Sequence, residues 1–204
     1  MTTDLRDQFG EIDVYLFDQF LRGRIRPGMR ILDAGCGEGR NLVYALGAGY
    51  EVFGCDADAT AIDAARRLAA KLAPHLPPGN FRTEPIEQMT FPDAHADVVL
   101  ASAVLHFAAD DAQFRAMVNE CWRVLRPGGM LFTRLASSIG SERLVRQIAG
   151  RRFRLPDGSD RYLLDAPLLK NLTTELGGTL VDPLKTTVVQ DQRSMTTWVL
   201  RKPA

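Results

Sequence analysis

The chain has 204 residues, 46% hydrophobic and 25% charged, enough for one domain with a sizeable core. Lysine plus arginine equals aspartate plus glutamate at 25 each, so no basic excess points to nucleic acid or to a membrane surface. Three cysteines without a C-x-x-C pair exclude a disulfide framework and a zinc site as expectations, and no stretch approaches the roughly 20 apolar residues of a membrane span.

The N-terminus, MTTDLRDQFGEIDVYLF, carries acids and reads as neither a signal nor a transit peptide, so a cytoplasmic protein is expected. Residues 12–21 carry a helical apolar stripe closed by Gly23 and Pro27. A strand, MRILDA, runs into a glycine-rich loop, and a helix follows over residues 41–48. YEVFGCD reads as the second strand. Residues 60–72 form an Ala- and Arg-rich helix stopped by Pro74, Pro77 and Pro78. A third strand is expected at residues 80–84, and DVVLA at 97–101 suits a buried parallel strand.

Residues 110–125 give the clearest helix, with Phe114, Met117, Val118, Cys121, Trp122 and Leu125 on one stripe. Pro127-Gly128-Gly129 ends it and opens a fifth strand, MLFTRL. Helices are expected around 141–149 and 166–176, with an irregular stretch over 150–162 containing the turn Pro156-Asp157-Gly158. Two apolar runs, 179–190 and 195–202, read as an antiparallel pair. The alternation predicts an α/β, Rossmann-like, doubly wound fold. Its seven-stranded sheet is mostly parallel, with an antiparallel C-terminal strand and helices on both faces.

In such a sheet a ligand sits beyond the carboxyl ends of the strands, where the strand order reverses. Gly35, Gly37 and Gly39 fall there, spaced G-x-G-x-G. The dinucleotide pattern G-x-G-x-x-G is not met, because the position it needs is Arg40. Asp33 precedes the loop and disfavours a pyrophosphate; it suits a ligand with a positive amino group. Asp56, ending the second strand, is placed to accept hydrogen bonds from a ribose.

The ordered segments ILDAGCGEGRN, GCDAD, FPDAHADVVLASAVLHF and LRPGGMLFTRL resemble the motifs of class I S-adenosylmethionine-dependent methyltransferases over residues 28–136. The outline is most similar to the small single-domain group that includes tellurite-resistance-like methyltransferases. The resemblance implies S-adenosylmethionine as cofactor, with Asp33, Gly35, Cys36 and Gly37 at its methionine end, Asp56 on the ribose and Ala57 near the adenine. Pro85 stands where the family usually has an acid for the adenine amino group, leaving Ile86 and Glu87 as replacements. Ala101 and Ser102 should face the methionine end. His106 is then either a general base or a wall residue, and Arg134 either clamps a substrate anion or forms a structural ion pair. Cys36 is also readable as a small filler.

The expected division is one domain, 1–204, with an N-terminal helical lid (1–27), a cofactor-binding core (28–136), and substrate-side helices with the final strand pair (137–204). The expected reaction is in-line methyl transfer to a small or medium-sized molecule, with no metal, nucleic-acid or membrane partner. A non-catalytic S-adenosylmethionine-binding regulator and a nicotinamide-dependent oxidoreductase are the alternatives.

Overall fold

The computed structural model describes residues 4–204. In chain order the first half comprises α1 (Leu5–Phe9), α2 (Val14–Leu21), β1 (Arg30–Ala34), α3 (Val43–Gly47), β2 (Glu51–Asp56), α4 (Ala59–Leu72), β3 (Phe81–Thr83) and β4 (Ala96–Ser102). The second half comprises α5 (Asp111–Val124), β5 (Leu125–Ala136), β6 (Arg146–Ala149), β7 (Arg152–Arg154), β8 (Asp160–Tyr162), α6 (Ala166–Glu175), β9 (Thr179–Leu180), β10 (Lys185–Val189) and β11 (Arg193–Arg201). Aspartate starts five of these helices. Asp4, Asp13, Asp58, Asp110 and Asp165 each accept a first-turn backbone N–H. Each places negative charge at the positive end of its helix and satisfies a donor that the helix leaves free.

The main sheet runs β10-β11-β5-β4-β1-β2-β3, with the two-residue β9 on β11. β3, β2, β1, β4 and β5 pair in parallel, and β11 is antiparallel to both β5 and β10. The doubly wound α/β architecture expected from the sequence is therefore present. Adjacent residues of a strand feed opposite cores, as a two-residue period requires. Leu32, Val99 and Leu131 pack on one face with α5 and α6, whereas Ile31, Val98 and Phe132 pack on the other with Leu16, Leu46 and Ile62. The strand order reverses between β1 and β4, which places the switch point directly above the loop after β1.

Three expectations are corrected. β5 begins at Leu125 rather than after Gly129, because the chain continues through a register irregularity opposite Ala96 and Val98. There Gly128, at φ +73°, donates to the carbonyls of Lys202 and Pro203. The helix expected at 141–149 is absent, and the irregular stretch at 150–162 is ordered. β6, β7 and β8 form a separate three-stranded antiparallel sheet. A helix of nine residues gains little on its own. Here Phe153, Leu155 and Leu163 instead pack with Ala136 and Met195 in a small core of their own. The C-terminal hairpin turns through residues 190–192, with Gln190 and Asp191 at φ +45° and +55° and the Gln192 N–H donating to the Val189 carbonyl at 2.9 Å. Among the described residues no helix is long and apolar enough to cross a membrane.

Candidate active site

The loop after β1 is held by β2. The N–H groups of Gly35 and Cys36 donate to the Cys55 carbonyl at 2.8 and 2.9 Å. Gly37 N–H donates to Asp56 Oδ2 at 2.9 Å, and Asp58 N–H to Oδ1 at 3.0 Å. Gly35 sits at φ +77°, and a Cβ there would lie 2.4 Å from Val104 Cγ2. Both the backbone sign and the space thus demand glycine. Beneath the loop Asp33 is buried, with neither carboxylate oxygen hydrogen-bonded. Burial raises its pKa to about 7; Arg40 opposes the rise and Asp56 adds to it. Burial also pushes the Cys36 thiol far up, so this cysteine is a filler under Gly54 and not a nucleophile.

Three cavities adjoin one another across the carboxyl ends of β2, β1, β4 and β5. The first, about 170 Å³, lies between Gly35, Asp56, Ala57, Ile86 and Glu87 on one side and Val104, Gln113 and Met117 on the other. The second, about 380 Å³, shares Gly35 and continues over Cys36 and Gly37 to Glu11, Asn41 and Ser102. The third, about 330 Å³, shares Arg40 and Ala103 with the second and contains His106 and Arg134. A larger opening of about 720 Å³ lies at the amino ends of β1 and β4, beside Met29 and Asp97, where an open α/β sheet does not place its ligand.

Of the residues singled out from the sequence, Gly35, Cys36, Gly37, Asp56, Ala57, Ile86, Glu87, Ser102, His106 and Arg134 line this trough. Asp33 lies below it. Ala101 is wholly buried in the core and lines none of the three cavities, because its side chain alternates away from that of Ser102. Glu87 is already engaged, accepting from Gln113 Nε2 at 2.7 Å. Gln113, Val104 and Met117 were not expected as walls. Gln113 lies outside the apolar stripe of α5, so nothing in the local sequence marked it.

Asp13 was also missed. It caps α2, and its Oδ2 meets Arg134 Nη1 at 3.2 Å and Ser102 Oγ at 3.5 Å. It fastens the N-terminal helices to the ends of β4 and β5. Arg134 therefore forms the ion pair foreseen as its alternative role, with its Nε buried and unpartnered. His106, readable from the sequence as a general base or a wall residue, is tied to the backbone of β5. Its Nδ1 accepts the Ala136 N–H at 3.1 Å. Burial, then Arg161 and Arg193, hold its pKa down at about 4. At neutral pH the ring is uncharged and its proton sits on Nε2, so the lone pair a base needs is committed to β5. Among the described residues no group of three His, Cys, Asp or Glu side chains is placed to hold a metal ion.

A family model described as a methyltransferase domain matches residues 32–133, half of the chain. A ubiquinone biosynthesis O-methyltransferase of Chelativorans sp. (strain BNC1) is 30% identical over 172 residues, covering 77% of this chain and 64% of the relative. The tRNA 5-carboxymethoxyuridine methyltransferase of Escherichia coli (strain K12) is 32% identical over 103 residues, 50% of this chain and 38% of the relative. The chain spans about a third to just under two thirds of the length of the curated relatives it matches. Among solved structures, the Burkholderia thailandensis 1,6-didemethyltoxoflavin-N1-methyltransferase, with bound 1,6-didemethyltoxoflavin and S-adenosylhomocysteine, superposes at a TM-score of 0.72. It is 20% identical and the match covers 98% of this chain and 82% of that one, a likeness of fold. The glycine loop, the two acids at the ends of β1 and β2 and the matched model place the chain in the methyltransferase-domain family.

Proposed function

We propose that the chain binds S-adenosylmethionine in the trough and transfers its methyl group to a small molecule seated beside His106. The carrying observation is adjacency: the cavity over the glycine loop and the space beside His106 share Arg40 and Ala103 as walls. The residues fit this cofactor. Asp33 offers a buried carboxyl without a partner, a complement for an amino group. Asp56 fixes Gly37 while lining the neighbouring cavity, in the position of a ribose acceptor. Ala57, Pro85, Ile86 and Glu87 wall the far end, which supports that end as the adenine side although Pro85 replaces the usual acid.

Bound there, the cofactor supplies a methyl group on a sulfonium, already activated for displacement. The chain's task is then to align the partners and exclude water. Glu11, just before the Asp13 cap of α2, forms one wall, and the β6–β8 segment forms another. A base is not needed for this chemistry when the acceptor atom is itself nucleophilic, which agrees with the committed lone pair of His106. A cavity of about 330 Å³ is at the lower end of the small-ligand range, and the balanced net charge gives nucleic acid no broad field to follow.

Calorimetry of the full chain with S-adenosylhomocysteine and with NADH tests the cofactor; binding of the first and not the second is expected, and the reverse overturns the reading. Turnover over a panel of small acceptors, followed as the demethylated cofactor, then separates an enzyme from a binding protein.

A further inference from the structure

The third cavity has a composition that methyl transfer does not require. It is lined by Arg40, Arg134, Arg161 and Arg193 against one carboxylate, Asp157. That carboxylate is occupied, accepting the Ser159 N–H at 2.9 Å and the Ser159 hydroxyl at 2.6 Å. Arg134 is committed to Asp13. Among the described residues Arg40, Arg161 and Arg193 form no salt bridge. Arg161 donates only to the adjacent Asp160 carbonyl at 2.8 Å and lies over the Phe107 ring at 4.7 Å, which fixes its head at the rim. Asp157 faces Arg161 and Arg193 and offsets part of their charge, but three guanidinium groups without a salt bridge outnumber the one carboxylate of this space, and an anion between them lowers their mutual repulsion.

A second observation comes from the cavity wall. His106 is 5% exposed, lines the cavity, and has Nδ1 tied to the backbone of β5. The polar atom left on the ring is a neutral Nε2–H, a donor that suits an oxygen acceptor. Arg161 and Arg193 line the same cavity as this ring.

We infer that this cavity is an oxyanion subsite. It takes an acceptor molecule bearing a carboxylate or phosphate, gripped by Arg161 and Arg193 with Arg40 at the junction, and hydrogen-bonded by His106 Nε2–H. That the molecule is the methyl acceptor rests on the function proposed above; that the cavity binds an oxyanion does not. An oxygen neutralised by guanidinium groups is a poor nucleophile. The anion is therefore a handle, and the atom to be methylated lies elsewhere on the same molecule.

The test is calorimetric titration of the full chain, with and without saturating S-adenosylhomocysteine, using inorganic phosphate, succinate and the neutral control succinamide. Saturable binding of phosphate or succinate, none of succinamide, and at least tenfold weaker anion binding in Arg161→Gln/Arg193→Gln are expected. The anion that binds more tightly separates the phosphate source from the carboxylate source. The double variant's titration with S-adenosylhomocysteine reports whether its loop is intact, and Arg193→Gln alone is read in the same way should the double variant not fold. Equal binding of succinamide, no anion binding, or wild-type anion affinity in the variants overturns the subsite. Failure of S-adenosylhomocysteine to bind overturns the cofactor reading alone, because the anion titrations without it still score the arginines. Nitrogen-15 shifts of His106 at neutral pH are expected to report the Nε2–H tautomer; the Nδ1–H tautomer removes the donor role.

Discussion

Replacing Asp33 with asparagine isolates the cost of holding a carboxyl under the glycine loop. Asp33 has the pKa 3.8 of an ordinary aspartate in the open chain and about 7 in the fold, chiefly through burial. The folded state thus holds the proton about a thousandfold more tightly, worth about 4 kcal/mol at roughly 1.4 kcal/mol per decade. The raised pKa fixes the sign. Stability from this group is fully present below about pH 4, declines between about 4 and 7, and is lost above 7. The amide of the variant keeps the shape of the carboxyl without its charge. Asp33→Asn is therefore expected to be more stable than the parent by about 2–4 kcal/mol at pH 8, with the gain shrinking toward zero as pH falls to 4. Urea unfolding of both proteins at pH 4.5, 6 and 8 reads this directly. The same variant should bind S-adenosylhomocysteine more weakly, so stability and affinity move in opposite directions. A stability difference that does not change with pH, or a parent more stable than the variant at pH 8, refutes the reasoning.

Asp56→Ala removes the acceptor of two backbone N–H groups and should weaken S-adenosylhomocysteine binding by about 1–3 kcal/mol; unchanged affinity in calorimetry excludes Asp56 from the site. Gly35→Ala brings a methyl group against Val104 at a positive φ and should cost about 2–4 kcal/mol in urea unfolding. Adding Val104→Ala should restore part of that loss, and no recovery would acquit the contact. Arg123 donates to the Met89 and Phe91 carbonyls, each at 2.8 Å, and pairs with Asp93 and Glu120. Arg123→Ala should lower stability by about 1–3 kcal/mol by leaving those buried carbonyls unmet, and a smaller loss would show that water replaces the guanidinium.

The sequence made the glycine loop, Asp33 and Asp56 legible because each is set by neighbours within the chain: an apolar strand, a turn that only glycine makes, and the end of the next strand. Ala101 went wrong through parity alone, since of two consecutive strand residues only Ser102 reaches the trough. Asp13 was hidden because its partner, Arg134, lies 121 residues away. The commitment of His106 Nδ1 was hidden in the same way, being made to the backbone of Ala136. The β6–β8 sheet escaped because its strands are three or four residues long and rich in arginine. A five-residue loop containing Pro156-Asp157-Gly158 between β7 and β8 was nevertheless a readable hairpin signal.

That three-stranded sheet leaves and rejoins the main body at one point. Ser138 N–H donates to the Leu164 carbonyl at 2.8 Å, and Ser137 and Leu164 are bridged. Away from this neck, Tyr162 reaches α5, stacking on Phe114 and donating to Asp111. The segment is thus closed at its base and packs through Leu155 and Leu163 on Ala136 of β5. Leu155, Asp157, Ser159 and Arg161 reach the third cavity from this visor alone. Substitutions in this visor therefore reshape the third cavity without touching the residues that wall the two cavities over the glycine loop.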